Sequence, residues 1–209
     1  MSVLAGLLDR VVAYAARDEA ETVKAREEWA ERAGRVFDDD FLYEERTTAF
    51  LEWYALERPL ADGRAPALRF LADEKLDDKE GQWVHALATS HRSLFEVRKV
   101  DDGIILLDDL LGGGEFAVTE RRRLPGVEEH EIFEARLIAN VMTPPEILFT
   151  RAFQFHPREA RAELKRHAEK ARKAGEPRAE TLFRLLLLRL KAVRYKHVTA
   201  DKIYKEEGG

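Results

Sequence analysis

The hydrophobic period of this chain changes twice, and that limits what it can fold into. Up to residue 92 apolar side chains recur at three- and four-residue spacing, from 93 to 155 they alternate, and beyond 155 the helical spacing returns. Leu4, Leu7, Leu8, Val11, Val12 and Ala15 begin a stripe that Ala16, Ala20, Val23 and Ala30 continue. It predicts one helix over 2–33, capped by Ser2 and ended by Gly34. Asp38, Asp39 and Asp40 precede an aromatic helix over 41–57, where acids suit the exposed N–H groups and the positive helix end. Pro66 opens a helix over 66–75, and another spans about 78–91 with Trp83, Val84, Leu87 and Ala88.

Within the alternating block, residues 94–100 and 104–107 flank Asp101-Asp102-Gly103, a hairpin turn that tolerates positive φ. Strands over 115–120 and 130–139 follow. A last strand begins at Pro144-Pro145, with Ile147, Phe149, Phe153 and Phe155 on one face together with Arg151. Helices over 157–174 and about 178–197 close the chain, broken by Gly175-Glu176-Pro177. The predicted class is α+β, with a helical N-terminal half, a five-stranded antiparallel sheet or small barrel, and a C-terminal helical pair. Short linkers favour one integrated domain over 1–209, made of helical residues 1–92, a β module over 93–155 and a basic helical tail over 156–209.

Charge follows the same division. The net charge of −5 hides 32 Asp/Glu against 19 Lys/Arg in residues 1–150, a net of −13, and 8 against 16 in residues 151–209, a net of +8. Hydrophobic residues make up 45%, too many for a disordered chain, and the absence of cysteine excludes a disulfide framework, a zinc finger and a thiol nucleophile. No apolar run approaches the roughly 20 residues of a membrane span, and the N-terminus lacks a basic leader and cleavage site. The expectation is a cytoplasmic protein with no membrane contact.

Chemical motifs are sparse. Gly112-Gly113-Gly114 is followed by Glu115 and a strand rather than by Lys-Ser/Thr and a helix, so it reads as an inter-strand loop and not a phosphate loop. Counted from Asp38, the sixth and twelfth positions of a calcium loop fall on Tyr43 and Ala49, which fails the motif. His85 and His91 are six apart, unlike zinc ligands on a helix, and His130 reads as a surface histidine. No metal site or cofactor is expected. The one enzyme reading places Asp109 and Glu120, with Arg121 and Arg122, close together across a hairpin as a metal-dependent nuclease site.

The basic residues allow a second reading. Arg121, Arg122 and Arg123, then Lys165, Arg166, Lys170, Arg172 and Lys173, and then Arg189, Lys191, Arg194 and Lys196 are candidates for neutralising nucleic-acid phosphates. The sequence pI near 5.8 argues against it, since such modules commonly exceed about 9. The same tail can instead dock on the acidic part of its own chain or of a second copy.

Several segments are familiar together. Residues 37–57, Ser93-Leu94-Phe95-Glu96-Val97, the stretch from Ile105 through Asp108-Asp109 to Gly112-Gly113, and Ala135-Arg136-Leu137 resemble a family of uncharacterised bacterial proteins often linked to SEC-C motifs. The resemblance covers about 37–140, implies a helical cap followed by a β module, and implies no catalytic residue. The cysteine-rich zinc motif is missing here. The expected function is a non-enzymatic interaction or scaffold protein, a homo-oligomer or one bound to a protein partner, using charge complementarity between body and tail. RNA or DNA binding, and then the nuclease, are the alternatives.

Overall fold

The structure is a computed structural model that describes residues 3–121 and 124–206. Ser2, Arg122 and Arg123, to which a cap and two candidate phosphate contacts were assigned, lie outside the described residues. Five helices come first: α1 (Val3–Ala15), α2 (Glu19–Ala33), α3 (Tyr43–Leu56), α4 (Pro66–Asp73) and α5 (Asp78–Ala88). The single helix expected over 2–33 is two. Asp18 stops the first and caps the second by accepting from the Glu21 amide at 2.9 Å. Gly34 does end α2, with φ of +86°, and a Cβ there would lie 2.7 Å from Leu190. The acid triplet works differently from the expectation. Leu42 precedes α3 without a side-chain cap, while Asp40 accepts from the Phe37 amide at 2.9 Å and so shapes the turn before the helix.

The strands are β1 (His91–Asp101), β2 (Ile104–Asp109), β3 (Glu115–Thr119), β4 (Ile132–Ala139), β5 (Ile147–Phe149) and β6 (Gln154–Phe155). β1 pairs with β2 and with β4, β2 with β3, β3 with β5, and β5 with β4, which closes a five-stranded barrel; β6 pairs with β4 beside β5. All pairings are antiparallel except β3–β5. The last predicted strand is therefore two short ones, and Glu52 of α3 accounts for the break. Its buried carboxylate accepts from the Arg151 and Ala152 amides at 3.1 and 3.2 Å, which takes both amides out of the ladder, and also from Thr150 Oγ1 at 2.8 Å.

The inner face of the barrel is filled by Phe95, Val97, Ile105, Leu107, Val118, Phe133, Ala135, Leu137 and Phe149. The outer faces of β1 and β4 are covered too, so these strands are buried on both sides. Leu94 and Ile132 pack beneath α6 (Arg161–Ala174), α7 (Arg178–Arg194) and α8 (Ala200–Glu206), the last a helix beyond the expected pair. Ile138 joins the helical core of Trp29, Phe50, Trp53, Tyr54 and Phe183. Between these apolar layers runs an ionic one. Arg92 reaches Glu134 at 2.7 Å and Glu57 at 3.3 Å, and Arg136 pairs with Glu57 and lies 3.5 Å from Glu52. Burial alone would raise the Glu57 carboxyl, but the two guanidinium groups hold it below its ordinary range.

Candidate ligand site at the barrel mouth

Alternation along β1 turns His91, Ser93, Phe95 and Val97 to the barrel interior, opposite Leu137, Ala135 and Phe133 of β4. Asp109 ends β2 directly opposite Phe95 and faces the same way. One end of the barrel therefore replaces apolar filling with His91, Ser93 and Asp109. The Asp109 carboxylate is almost fully bonded. Oδ1 accepts from Ser93 Oγ at 2.5 Å and from the Leu111 and Gly112 amides at 3.0 and 2.8 Å, and Oδ2 meets His91 Nε2 at 2.7 Å. Burial pushes this carboxyl up, but the bonds from His91, Ser93 and Gly112 outweigh burial and hold it at about 2.

These bonds also explain the triglycine. Asp109 folds the loop over 110–114 back on itself, and the Gly113 amide bonds the Asp109 carbonyl at 2.7 Å. A Cβ on Gly112 would lie 2.3 Å from Asp109 Oδ2, so only glycine fits. The inter-strand reading of this loop holds, with an ordered carboxylate at its centre.

Arg178, the first residue of α7, approaches His91 Nδ1 at 3.0 Å through Nη1. A guanidinium can only donate, so Nδ1 is the acceptor and the Nε2 proton points to Asp109. Phe116 packs beside the ring at 5.4 Å between ring centres.

A cleft of about 930 Å³ opens at this end of the barrel. Its walls are α5 through Gln82, His85, Ala86 and Thr89, the barrel rim through His91, Phe116, Leu137, Ala139 and Ile147, and the loop over 140–146. That loop is braced by Asn140, whose Nδ2 donates to Glu146 at 2.9 Å. His85 and His91, which sequence spacing sets on different helical faces, line one cleft because α5 ends at Ala88 and His91 starts a strand. No clear signal in the sequence joined α5 to the barrel rim.

The acids of the nuclease reading are kept apart. The register Asp108↔Glu115 and Ile104↔Thr119 puts Asp109 and Glu120 at opposite ends of the hairpin, roughly 17–20 Å apart at about 3.3 Å per residue. Among the described residues no group of three or more His, Asp or Glu side chains is arranged to hold a metal. Ser90 Oγ donates to the Leu87 carbonyl at 2.5 Å and accepts from Arg136 at 3.0 Å, so it is not directed at His91.

The candidate basic residues occupy several surroundings. Arg189 is buried, bonded to Glu45 at 2.8 Å and to the Phe155 carbonyl, and its guanidinium is closed off from a phosphate backbone. Arg194 binds Asp40 at 2.8 Å, Lys165 binds Glu96 at 2.6 Å, Arg166 pairs with Glu163, and Lys173 binds Glu169 at 2.6 Å. Lys170 and Lys191 have partners of their own. Arg121 and Lys196 are exposed, and Arg172 lies against Gly113. Several tail cations thus meet carboxylates of the body, Glu45, Asp40 and Glu96 among them.

The fold and the cleft define a helix-capped small barrel with a ligand-sized opening at one end. Residues 17–184 match a family of unknown function, DUF7986, and the chain belongs to that family. The matched span continues through α6 into α7, beyond the stretch over 37–140 whose motifs suggested a resemblance. No curated protein and no solved structure matches the chain. No helix among the described residues is long and apolar enough to cross a membrane.

Proposed function

We propose that this chain is a non-enzymatic binding protein that holds a small, mainly apolar ligand in the mouth of its barrel. The observation that carries the reading is the cleft of about 930 Å³ between α5 and the barrel rim, within the common size range of ligand pockets and at a common place for one. Its walls are apolar except for a few polar side chains, and the most structured of these, His91, is fixed on both ring nitrogens. On this reading the complementary charges of body and tail act within the chain. Ion pairs such as Arg189–Glu45 and Arg194–Asp40 fasten α7 to the segment around α3. Kinship with proteins linked to SEC-C motifs rests on the motifs over 37–140.

The test is titration with a neutral fluorescent naphthylamine, N-phenyl-1-naphthylamine. Ala139 is an exposed wall residue at the end of β4, so Ala139→Trp fills the cleft without disturbing the core. Saturable binding lost in Ala139→Trp, with an unchanged urea midpoint, supports the proposal. Absence of binding, or binding indifferent to the substitution, rejects it.

A further inference from the structure

We infer that the ligand is an amphipathic amine whose chain lies in the apolar cleft and whose ammonium head meets Glu146. This rests on the ligand-binding reading above and names the chemistry of the occupant.

The cleft lining holds one carboxylate and no Lys or Arg. The carboxylate is Glu146, at the end of the loop over 140–146, beside Pro144, Pro145 and Ile147. Its Oε2 accepts from Asn140 Nδ2 at 2.9 Å, and among the described residues no cation stands within ion-pair distance of it. Glu146 also borders the adjoining groove, where Arg121 and Arg151 lie. Arg151 is taken by Asp9 at 2.5 Å, and Arg121 is exposed and makes no bond to Glu146.

The guanidinium groups behind the lining are matched elsewhere. Arg136, which donates to Ser90 at 3.0 Å, pairs with Glu57. Arg178, which meets His91, lies beside Asp109: a Cβ on Gly112 would stand 2.3 Å from Asp109 Oδ2 and 3.5 Å from Arg178 Nη2. Neither supplies a counter-charge to Glu146.

The other polar groups of the wall lead to the same head group. His91 is bonded on both ring nitrogens, and Ser90 both donates and accepts. Asn140 accepts from the Met142 amide at 3.0 Å and donates to Glu146. Thr89 gives its proton to the His85 carbonyl at 2.9 Å and so offers the cleft only a lone pair. Glu146 Oε1 and Thr89 Oγ1 thus remain as acceptors, while Gln82 and His85 can serve in either role. An ammonium supplies donors and the missing positive charge together. Glu146 is only half-buried, so the head keeps part of its hydration when it pairs. An alcohol would bond without the charge, and a carboxylate would be repelled.

The experiment measures displacement of N-phenyl-1-naphthylamine by decylammonium, decanol and decanoate, in wild type, in Glu146→Gln and in Glu27→Gln, a remote exposed acid on α2. The expected result is decylammonium weakened about tenfold by Glu146→Gln, from loss of a charge-assisted bond, with decanol changed less than twofold. No effect on decylammonium, equal effects on decylammonium and decanol, or the same loss in Glu27→Gln overturns the inference while leaving the binding site in place. Wild type alone gives a second reading that does not depend on the variant: decylammonium displaces the dye at about tenfold lower concentration than decanoate, and equal potency or the reverse order overturns the inference. If the dye does not bind wild type, the ligand reading itself fails and this inference falls with it.

Discussion

Replacing Asp109 by asparagine removes the charge around which the barrel mouth is organised. The side chain is buried and holds four donors: Ser93 Oγ, His91 Nε2 and the amides of Leu111 and Gly112. Its carboxyl sits at about 2 against an ordinary 3.8, a depression of nearly two units, which corresponds to about 2 kcal/mol of stability at neutral pH. Asparagine also turns an amide NH₂ toward one of those donors, so the total loss is expected at about 2–4 kcal/mol. The assay is urea denaturation of both proteins between pH 7 and pH 2. A group with a depressed folded pKa contributes fully above its unfolded value and loses that contribution as pH falls toward the folded one. The gap between wild type and Asp109→Asn is therefore constant above about pH 4 and narrows toward pH 2. A variant within about 0.5 kcal/mol of wild type at pH 7, or a gap that does not depend on acid, refutes the reasoning.

Other perturbations follow from the same contacts. Gly112→Ala places a Cβ 2.3 Å from Asp109 Oδ2, so it costs about 2 kcal/mol in wild type and far less beside Asp109→Ala, a coupling that a double-mutant cycle measures. Glu52→Gln weakens the break between β5 and β6, and hydrogen exchange at the Arg151 and Ala152 amides becomes faster, while a protection pattern equal to wild type contradicts the role given to Glu52. His156 is buried, and burial beside Arg189 and Arg46 lowers it to about 3. The unfolded chain takes up its proton near 6.5, so stability falls by about 2 kcal/mol from pH 7 to pH 5, and His156→Gln flattens that part of the urea midpoint profile. Arg189→Ala removes the bonds to Glu45, Gln154 and the Phe155 carbonyl and is expected to cost about 1–3 kcal/mol by thermal or urea unfolding, against less than about 0.5 for exposed Arg172→Ala.

The period change at Ser93 carried much of the fold, because strands buried on one face and helices buried on a stripe leave different spacings. The Asp102-Gly103 hairpin and the glycine end of α2 were legible for the same local reason. The break between α1 and α2 was not. Ala16 and Ala20 continue the apolar stripe through a turn, and only Asp18 marked the new start. The split of the last strand lies further beyond local reading, since Glu52 acts on residues 98–100 positions away. The candidate site was half visible. Asp109 stood out as an acid at a strand end, but its partner His91 is 18 positions away, and Arg178, which meets His91, is 87 positions from that histidine. The charge asymmetry was plain in composition, yet where the tail docks depends on α7 crossing Asp40 and Glu45, which no single-segment pattern encodes.

The claim that the barrel mouth receives a ligand is tested most directly by an amide ¹⁵N–¹H titration with N-phenyl-1-naphthylamine. The account predicts saturable shifts at His85, Ala86, His91 and Ala139 on the cleft. Shifts confined to the exposed face of α6, or none at the highest soluble dye concentration, would contradict it.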